Sequence, residues 1–315
     1  MLSNTWNQHR EDPVRRQNLF RGMARIILSL ASISQPRIGS FRFHNDGTIT
    51  LTNRPLSCAM IILENDCAPR MIQENDTYTC TEAFVSDMLN FHENRFLNNQ
   101  NAVNSKSDCH FQMAVMALLR TTAHHFLPRE LRQGPFVLQM TDFNQSNIFV
   151  DDKWNITCLL DLEWVCALPV DALEAPYWLT GRSIDVISEH LNEFDTVRKE
   201  FMDIVEEEEL KISLTQYNMS IARTMHSSWE SKRVWFWNCL LSINAMNSLL
   251  MDYIYPMFSS KSWSDTEKFM WLFWTPNCDE VVTKKLADKE RFDKALQTIF
   301  EQANVGLGQC GSDGI

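Results

Sequence analysis

The chain has 315 residues, enough for one large domain or two modest ones, and 44% of them are hydrophobic, an ordinary share for a globular core. Nineteen Phe, ten Trp and fifteen Met supply bulky apolar volume, and only nine Gly and ten Pro argue against a fibrous, loop-dominated or disordered chain. The formal net charge of −11 argues against nucleic-acid binding, where a basic face supplies most of the affinity, and favours solubility or a cationic partner or substrate.

The cysteines (Cys58, Cys67, Cys80, Cys109, Cys158, Cys166, Cys239, Cys278, Cys310) are scattered, odd in number and without a CxxC pair. A secreted disulfide framework or a zinc ribbon would look different, so the expectation is a reducing, intracellular compartment with thiols as small core residues. Met1-Leu2-Ser3-Asn4-Thr5-Trp6 lacks the basic-then-apolar pattern of a signal peptide. The apolar run Phe269 to Trp274 is far too short to span a bilayer, so the chain is expected to be soluble, cytoplasmic and without a membrane partner.

Asp12-Pro13 is a helix start, and Leu19, Phe20, Met23, Ile27 and Leu30 recur at helical spacing to about Ser34. Alternation at Phe41 and Phe43, the turn Asn45-Asp46-Gly47 and renewed alternation at Ile49 and Leu51 predict a β-hairpin. Helices are predicted over Thr81 to about Leu97 and about Asp108 to Phe126, with the Asn-rich stretch Asn98 to Ser107 as a loop. A compact β region follows: Phe136 to Leu138, Ile148 to Val150, a turn at Asp151-Asp152-Lys153, and Ile156 to Leu160. From Ser183 onward the pattern predicts only helices, roughly 183–208, 213–226, 230–255, 264–274 and 279–303, and the Gly-rich residues from Val305 read as a loose tail. The whole is mainly α with small β-hairpins, with no internal repeat and no interdomain linker.

The chemistry is concentrated in Leu138-Gln-Met-Thr-Asp-Phe-Asn-Gln-Ser-Asn-Ile-Phe-Val-Asp151 and Leu159-Leu-Asp-Leu-Glu-Trp164. Asp142 and Asn147 stand in D-x-x-x-x-N spacing, and Asp161 follows Asn147 by fourteen residues at the end of an apolar strand. Phosphoryl transfer needs an acceptor hydroxyl held in line, a carboxylate to orient it and accept its proton, and hard oxygen ligands for Mg²⁺ on the nucleotide phosphates. A tight hairpin with Asn147 at the entry of one strand and Asp161 at the exit of its partner puts two such ligands at one end, beside Asp142.

These segments resemble the aminoglycoside phosphotransferase family, a relative of choline kinases and protein kinases, and in particular fungal members that read "TD-x-x-QSNIFVD" and "DLEW". Ile38-Gly39-Ser40-Phe41, Leu51 to Leu56 and Pro176-Tyr177-Trp178-Leu179-Thr180 also resemble that group. The resemblance covers Met1 to about residue 300. It implies the C-terminal lobe of the protein-kinase-like fold over 1–304, a flexible tail over 305–315, ATP and Mg²⁺ as cofactors, and a small-molecule hydroxyl as acceptor. It assigns Asp142 as catalytic base and Asn147 and Asp161 as magnesium ligands. Many relatives have His-Gly before the catalytic Asp and His two residues after it, where this chain has Met140-Thr141 and Asn144.

Family members with a complete kinase core also carry an N-terminal lobe with a Gly-containing loop, a strand lysine and a helical glutamate. No such pattern lies upstream of Asp142, and by resemblance Met1 falls near the hinge where that lobe would have finished. The expectation is weak or no autonomous phosphotransfer, with a noncatalytic pseudokinase-like binding module or a truncated gene product as the alternative. Other features carry less. Gly306 to Gly311 matches GxGxxG but lies outside any strand–helix context. His124-His125 suit a helix end. Glu206 to Glu209 read as a solvated helix face, and the aromatic runs Trp235 to Trp237 and Trp271 to Trp274 as core. Glu163 either assists the metal or caps a turn.

Overall fold

The computed structural model describes residues 1–65, 69–212 and 219–309, with backbone alone over 303–309. Asp12 caps the first long helix, α1 (Pro13–Ala31), its carboxylate accepting from the backbone of Val14 at 3.0 Å and Arg15 at 3.2 Å. Strands β1 (Ser34–Gln35), β2 (Gly39–Phe43) and β3 (Ile49–Asn53) follow, the last two forming the expected hairpin around Gly47. Next come α2 (Cys58–Asn65), α3 (Thr81–Asn98) and α4 (Lys106–Thr122); Ser105 caps α4 through the Asp108 amide at 3.1 Å.

Strands β4 (Phe136–Met140), β5 (Ile148–Val150), β6 (Ile156–Leu159) and β7 (Val165–Pro169) make up the middle of the chain. Five strands form one antiparallel sheet in the order β1-β4-β7-β2-β3, while β5 and β6 pair separately as a hairpin. The remainder is helical: α5 (Leu191–Lys211), α6 (Ile221–Glu230), α7 (Arg233–Leu241), an interrupted helix over 246–258, α8 (Trp263–Met270) and α9 (Cys278–Gln309). The protein is mainly α with small sheets, and no helix among the described residues is long and apolar enough to cross a membrane.

β4 and β7 are central because they bury both faces. Phe136 and Leu168 enter a core shared with α3, α4 and α7, and Val137 joins a second core with α1, α5 and α6. A smaller core joins α4 to α9 through Met113, Met116, Val281 and Val282. A strand buried on both sides has no polar alternation, so β7 escaped the sequence pattern.

Several boundaries differ from expectation for local reasons. The helix expected over 230–255 is broken twice: Lys232 adopts a left-handed conformation (φ 65°), and the hydroxyl of Ser242 folds back on the Asn238 carbonyl at 2.6 Å. The segment expected to start a helix at Ser183 begins as 3-10 turns over Ile184–His190. α6 covers only part of the expected 213–226, and residues 213–218 lie outside those described. α9 continues to Gln309, past Val305, while Cys67 and 310–315 lie outside the described residues.

Burial corrects two further readings. Trp235, Phe236 and Trp237 are core, but Leu272 and Phe273 in the second aromatic run are 51% and 75% exposed. The acidic run 206–209 is no uniform solvated face. Glu209 caps α6 at Ile221, and Glu208, only 2% exposed, receives Arg21 and Arg25 from α1 together with Lys211. Burial alone would raise the Glu208 carboxyl, but the hydrogen bonds and charges of Arg25 and Lys211 win and hold it at about 2. Its contribution is therefore present above the usual carboxylate range and lost as pH falls toward 2. Glu208→Gln is expected to lower stability to urea by about 1.5–3 kcal/mol at neutral pH, the strength of charge-assisted hydrogen bonds, with the gap to wild type closing on acidification. An undiminished gap at acid pH would show that packing, not charge, is the cause.

Candidate functional site

The loop from Thr141 to Asn147 joins β4 to β5 and is clasped at both ends. Thr141 donates its amide (3.2 Å) and hydroxyl (2.8 Å) to the Trp164 carbonyl, and the Leu160 amide donates to the Asn147 carbonyl at 2.9 Å. The first clasp ties the loop's start to the turn after Asp161; the second extends the β5–β6 ladder, in which Ile148 faces Leu159. Asn147 and Asp161 therefore fall at the same hairpin end, as the sequence predicted. Asp161 takes a left-handed conformation (φ 56°, ψ 45°) and caps the single turn Leu162–Trp164. Non-glycine residues rarely accept this conformation, although Asp is among the more tolerant. Glu163 lies exposed in that turn.

Asp142 is held by two amide side chains. Asn144 Nδ2 donates to Oδ1 and Asn147 Nδ2 to Oδ2, each at 2.7 Å, and Asn147 also reaches the Asp142 carbonyl at 3.0 Å. Asn144 is in turn fixed by accepting the Ser146 amide at 2.9 Å. Asn144 thus orients the aspartate directly. Behind the loop, Trp178 Nε1 donates to the Phe143 carbonyl at 2.6 Å. Trp178 meets Trp6 edge-on, and Trp6 stacks on Trp154, which occupies the β5–β6 turn.

Asp142 and Asn144 border a cavity of about 330 Å³ between α1, α2, the sheet and α7. Asn147 is buried behind Asp142, and Asp161 lies exposed; neither is part of the cavity wall. The three residues singled out in the sequence are thus adjacent but divided. Cys58, at the start of α2, faces both aspartates: burial, then the charges of Asp142 and Asp161, push its thiol up.

The sequence reading missed the far side of this cavity. Glu174, Tyr177, Asn238 and Asn244 all line it. Asn238 donates one amide hydrogen to the Val234 carbonyl at 2.9 Å and the other to the Glu174 carboxyl. Glu174 keeps some surface toward the cavity but little contact with bulk water, and this desolvation lifts its carboxyl to about 8 against the hydrogen bond from Asn238. Burial, then Glu174 and Asp142, raise the Tyr177 hydroxyl as well, so both carboxyls act on it. Two acids, Asp171 and Glu174, inside the otherwise apolar run from Val170 to Ala175 were the available signal.

Among the described residues, no group of three or more His, Cys, Asp or Glu side chains is placed to hold a metal. The donor set at the hairpin end is a carboxylate from Asp161 and an amide from Asn147 whose nitrogen is turned to Asp142, which leaves its oxygen as the hard ligand. That set suits Mg²⁺, which uses one or two carboxylates together with substrate phosphates and water, and does not suit a metal needing an all-protein cage.

Burial of Glu174, and of Asp171 (raised to about 6 by burial, against the attraction of Arg233), favours the protonated acid in the fold. Each is neutral in folded and unfolded chains at low pH, so the contribution of these two acids to stability is greatest there and is lost as pH rises from the usual carboxylate range to about 6 for Asp171 and about 8 for Glu174. Thermal unfolding of Glu174→Gln should show a shallower fall between pH 4.5 and about 8 than wild type. Parallel curves would mean that Glu174 ionises without cost in the fold.

No family model, no curated protein and no solved structure matches this chain.

Proposed function

We propose that the chain is a kinase-like small-molecule phosphotransferase of the aminoglycoside phosphotransferase family, forming the helical C-terminal lobe of that fold and directing a phosphoryl group from ATP to a small-molecule hydroxyl. The observation that carries this reading is the position of Asp142: fixed by two amides at 2.7 Å, bordering a cavity, and one loop away from two oxygen donors at a hairpin end. Asp142 orients the acceptor hydroxyl and takes its proton, since a carboxylate offers about four lone-pair directions and the amides occupy two. Asn144 and Asn147 hold that carboxylate in one rotamer, and Trp178 anchors the loop through the Phe143 carbonyl. Asn147 and Asp161 would hold Mg²⁺, which would supply positive charge to offset that of the nucleotide phosphates.

Turnover by this chain is expected to be weak. None of the described strands before Asp142 carries a lysine to meet the phosphates. Loss of one preorganised charge-stabilising group costs about 10²–10³ in rate. That same observation favours the second reading, a noncatalytic binding module that keeps the cavity and has lost transfer.

Calorimetry with ATP, with and without Mg²⁺, separates the two. Phosphotransfer ancestry with a retained site gives magnesium-dependent heat that Asp161→Ala abolishes, and slow ADP formation that Asp142→Asn abolishes. Absence of heat at millimolar nucleotide would sink the phosphotransferase reading for this chain and leave the binding module.

A further inference from the structure

The walls of the cavity restrict what it accepts. Ile26, Ile27 and Leu30 from α1, Phe84 from α3, and Leu138 and Leu168 from the sheet present aliphatic and aromatic carbon. A volume of about 330 Å³ lies at the lower end of small-molecule pockets. A polyhydroxylated or polycationic molecule would press most of its polar groups on carbon, at about 1–3 kcal/mol for each one left unpaired. The two carboxyls of the wall sit at two places, Asp142 with Asn144 and Glu174 with Asn238, and Tyr177 and Asn244 add polar groups to an otherwise mostly apolar lining.

We propose that the cavity beside Asp142 takes a small, mostly apolar alcohol bearing a second oxygen, and that Glu174, positioned by Asn238, is the residue that reads this second oxygen. The assignment rests on the reading of Asp142 as the group that faces the acceptor hydroxyl. Both amide hydrogens of Asn238 are engaged, one on Val234 and one on Glu174, so the carboxyl cannot rotate away without stranding a buried amide. With its carboxyl lifted to about 8, Glu174 is a neutral acid at pH 7 and carries an O–H donor. An ether, carbonyl or hydroxyl oxygen accepts that hydrogen. An ammonium group finds no anion at Glu174 and is disfavoured there.

The test is calorimetric binding to the full chain without nucleotide, using three probes: 4-phenoxybutan-1-ol, its near-isostere 5-phenylpentan-1-ol, in which CH₂ replaces the ether oxygen, and sorbitol. Both aryl alcohols are expected to bind and sorbitol not, with the ether about 3- to 10-fold tighter, the worth of one hydrogen bond. Glu174→Leu should erase the ether's advantage, and Glu174→Gln, which still donates, should keep it. Ala59→Trp, at a partly exposed position in the cavity wall, should weaken both aryl alcohols at least tenfold while circular dichroism stays unchanged. Sorbitol binding as tightly as the aryl alcohols, no aryl-alcohol binding by the folded protein at millimolar concentration, or an ether preference that survives Glu174→Leu would each overturn the proposal. Alcohol binding with no nucleotide-dependent transfer would leave it standing and sink the phosphotransferase reading. Transfer to sorbitol without alcohol binding would do the reverse.

Discussion

Asp142 is fixed from both sides by amides, and the rest of the site depends on that grip. A carboxylate on an unrestrained loop would sample several rotamers and make hydrogen bonds to water. Here Asn144 and Asn147 each supply a hydrogen bond at 2.7 Å, so the remaining lone pairs have a set direction. The two amides are not free themselves. Asn144 is held by Ser146, and the Asn147 backbone is paired with Leu160 across the hairpin end. The orientation of one carboxylate is thus tied to the register of β5 and β6. A one-residue slip there would move Asn147 to the other face and release Asp142.

That register has its own support. Trp154 sits in the hairpin turn with positive φ (63°), a conformation unfavourable for a bulky residue. Stacking on Trp6, with ring centroids 5.5 Å apart, offsets the strain, and Trp6 also meets Trp178, which holds the Asp142 loop. Three tryptophans therefore connect the N-terminal turn, the hairpin and the loop in one packed unit. On the opposite side, β4 and β7 lie between two cores, so the strand that delivers Thr141 cannot shift without disturbing both.

The hairpin end was legible in the sequence because its signals are local. Short apolar runs at Ile148 to Val150 and Ile156 to Leu159, with turn residues between, set which ends meet; spacing then places Asn147 beside Leu160. The long amphipathic helices α1, α3 and α4 were legible for the same reason, through period and caps. What escaped depended on contacts distant in sequence. Asn144 gave no local signal because what it does lies in the rotamer of Asp142. Glu174 and Asn238 are 64 residues apart and meet only because α7 packs on the segment after β7. Glu208 looked solvated within an acidic run, and only the approach of α1 shows it buried among arginines.

Two carboxyls in one cavity wall would ordinarily repel and draw in cations or water. This cavity separates their chemistry by environment. Asp142 receives two amide donors, whereas Glu174 has one such donor and is otherwise closed in by apolar neighbours such as Leu173 and Ala175, so that burial favours its protonated form. The Tyr177 hydroxyl is raised by burial and then by the charges of Glu174, Asp142 and Asp185. An acid that remains protonated removes one of two negative charges from a small apolar space, which makes the space suitable for an uncharged guest. It also gives the guest a donor at one end and an acceptor at the other. On the proposed reading, that polarity would fix which end of the guest faces Asp142, the orientation that an in-line transfer to a hydroxyl requires.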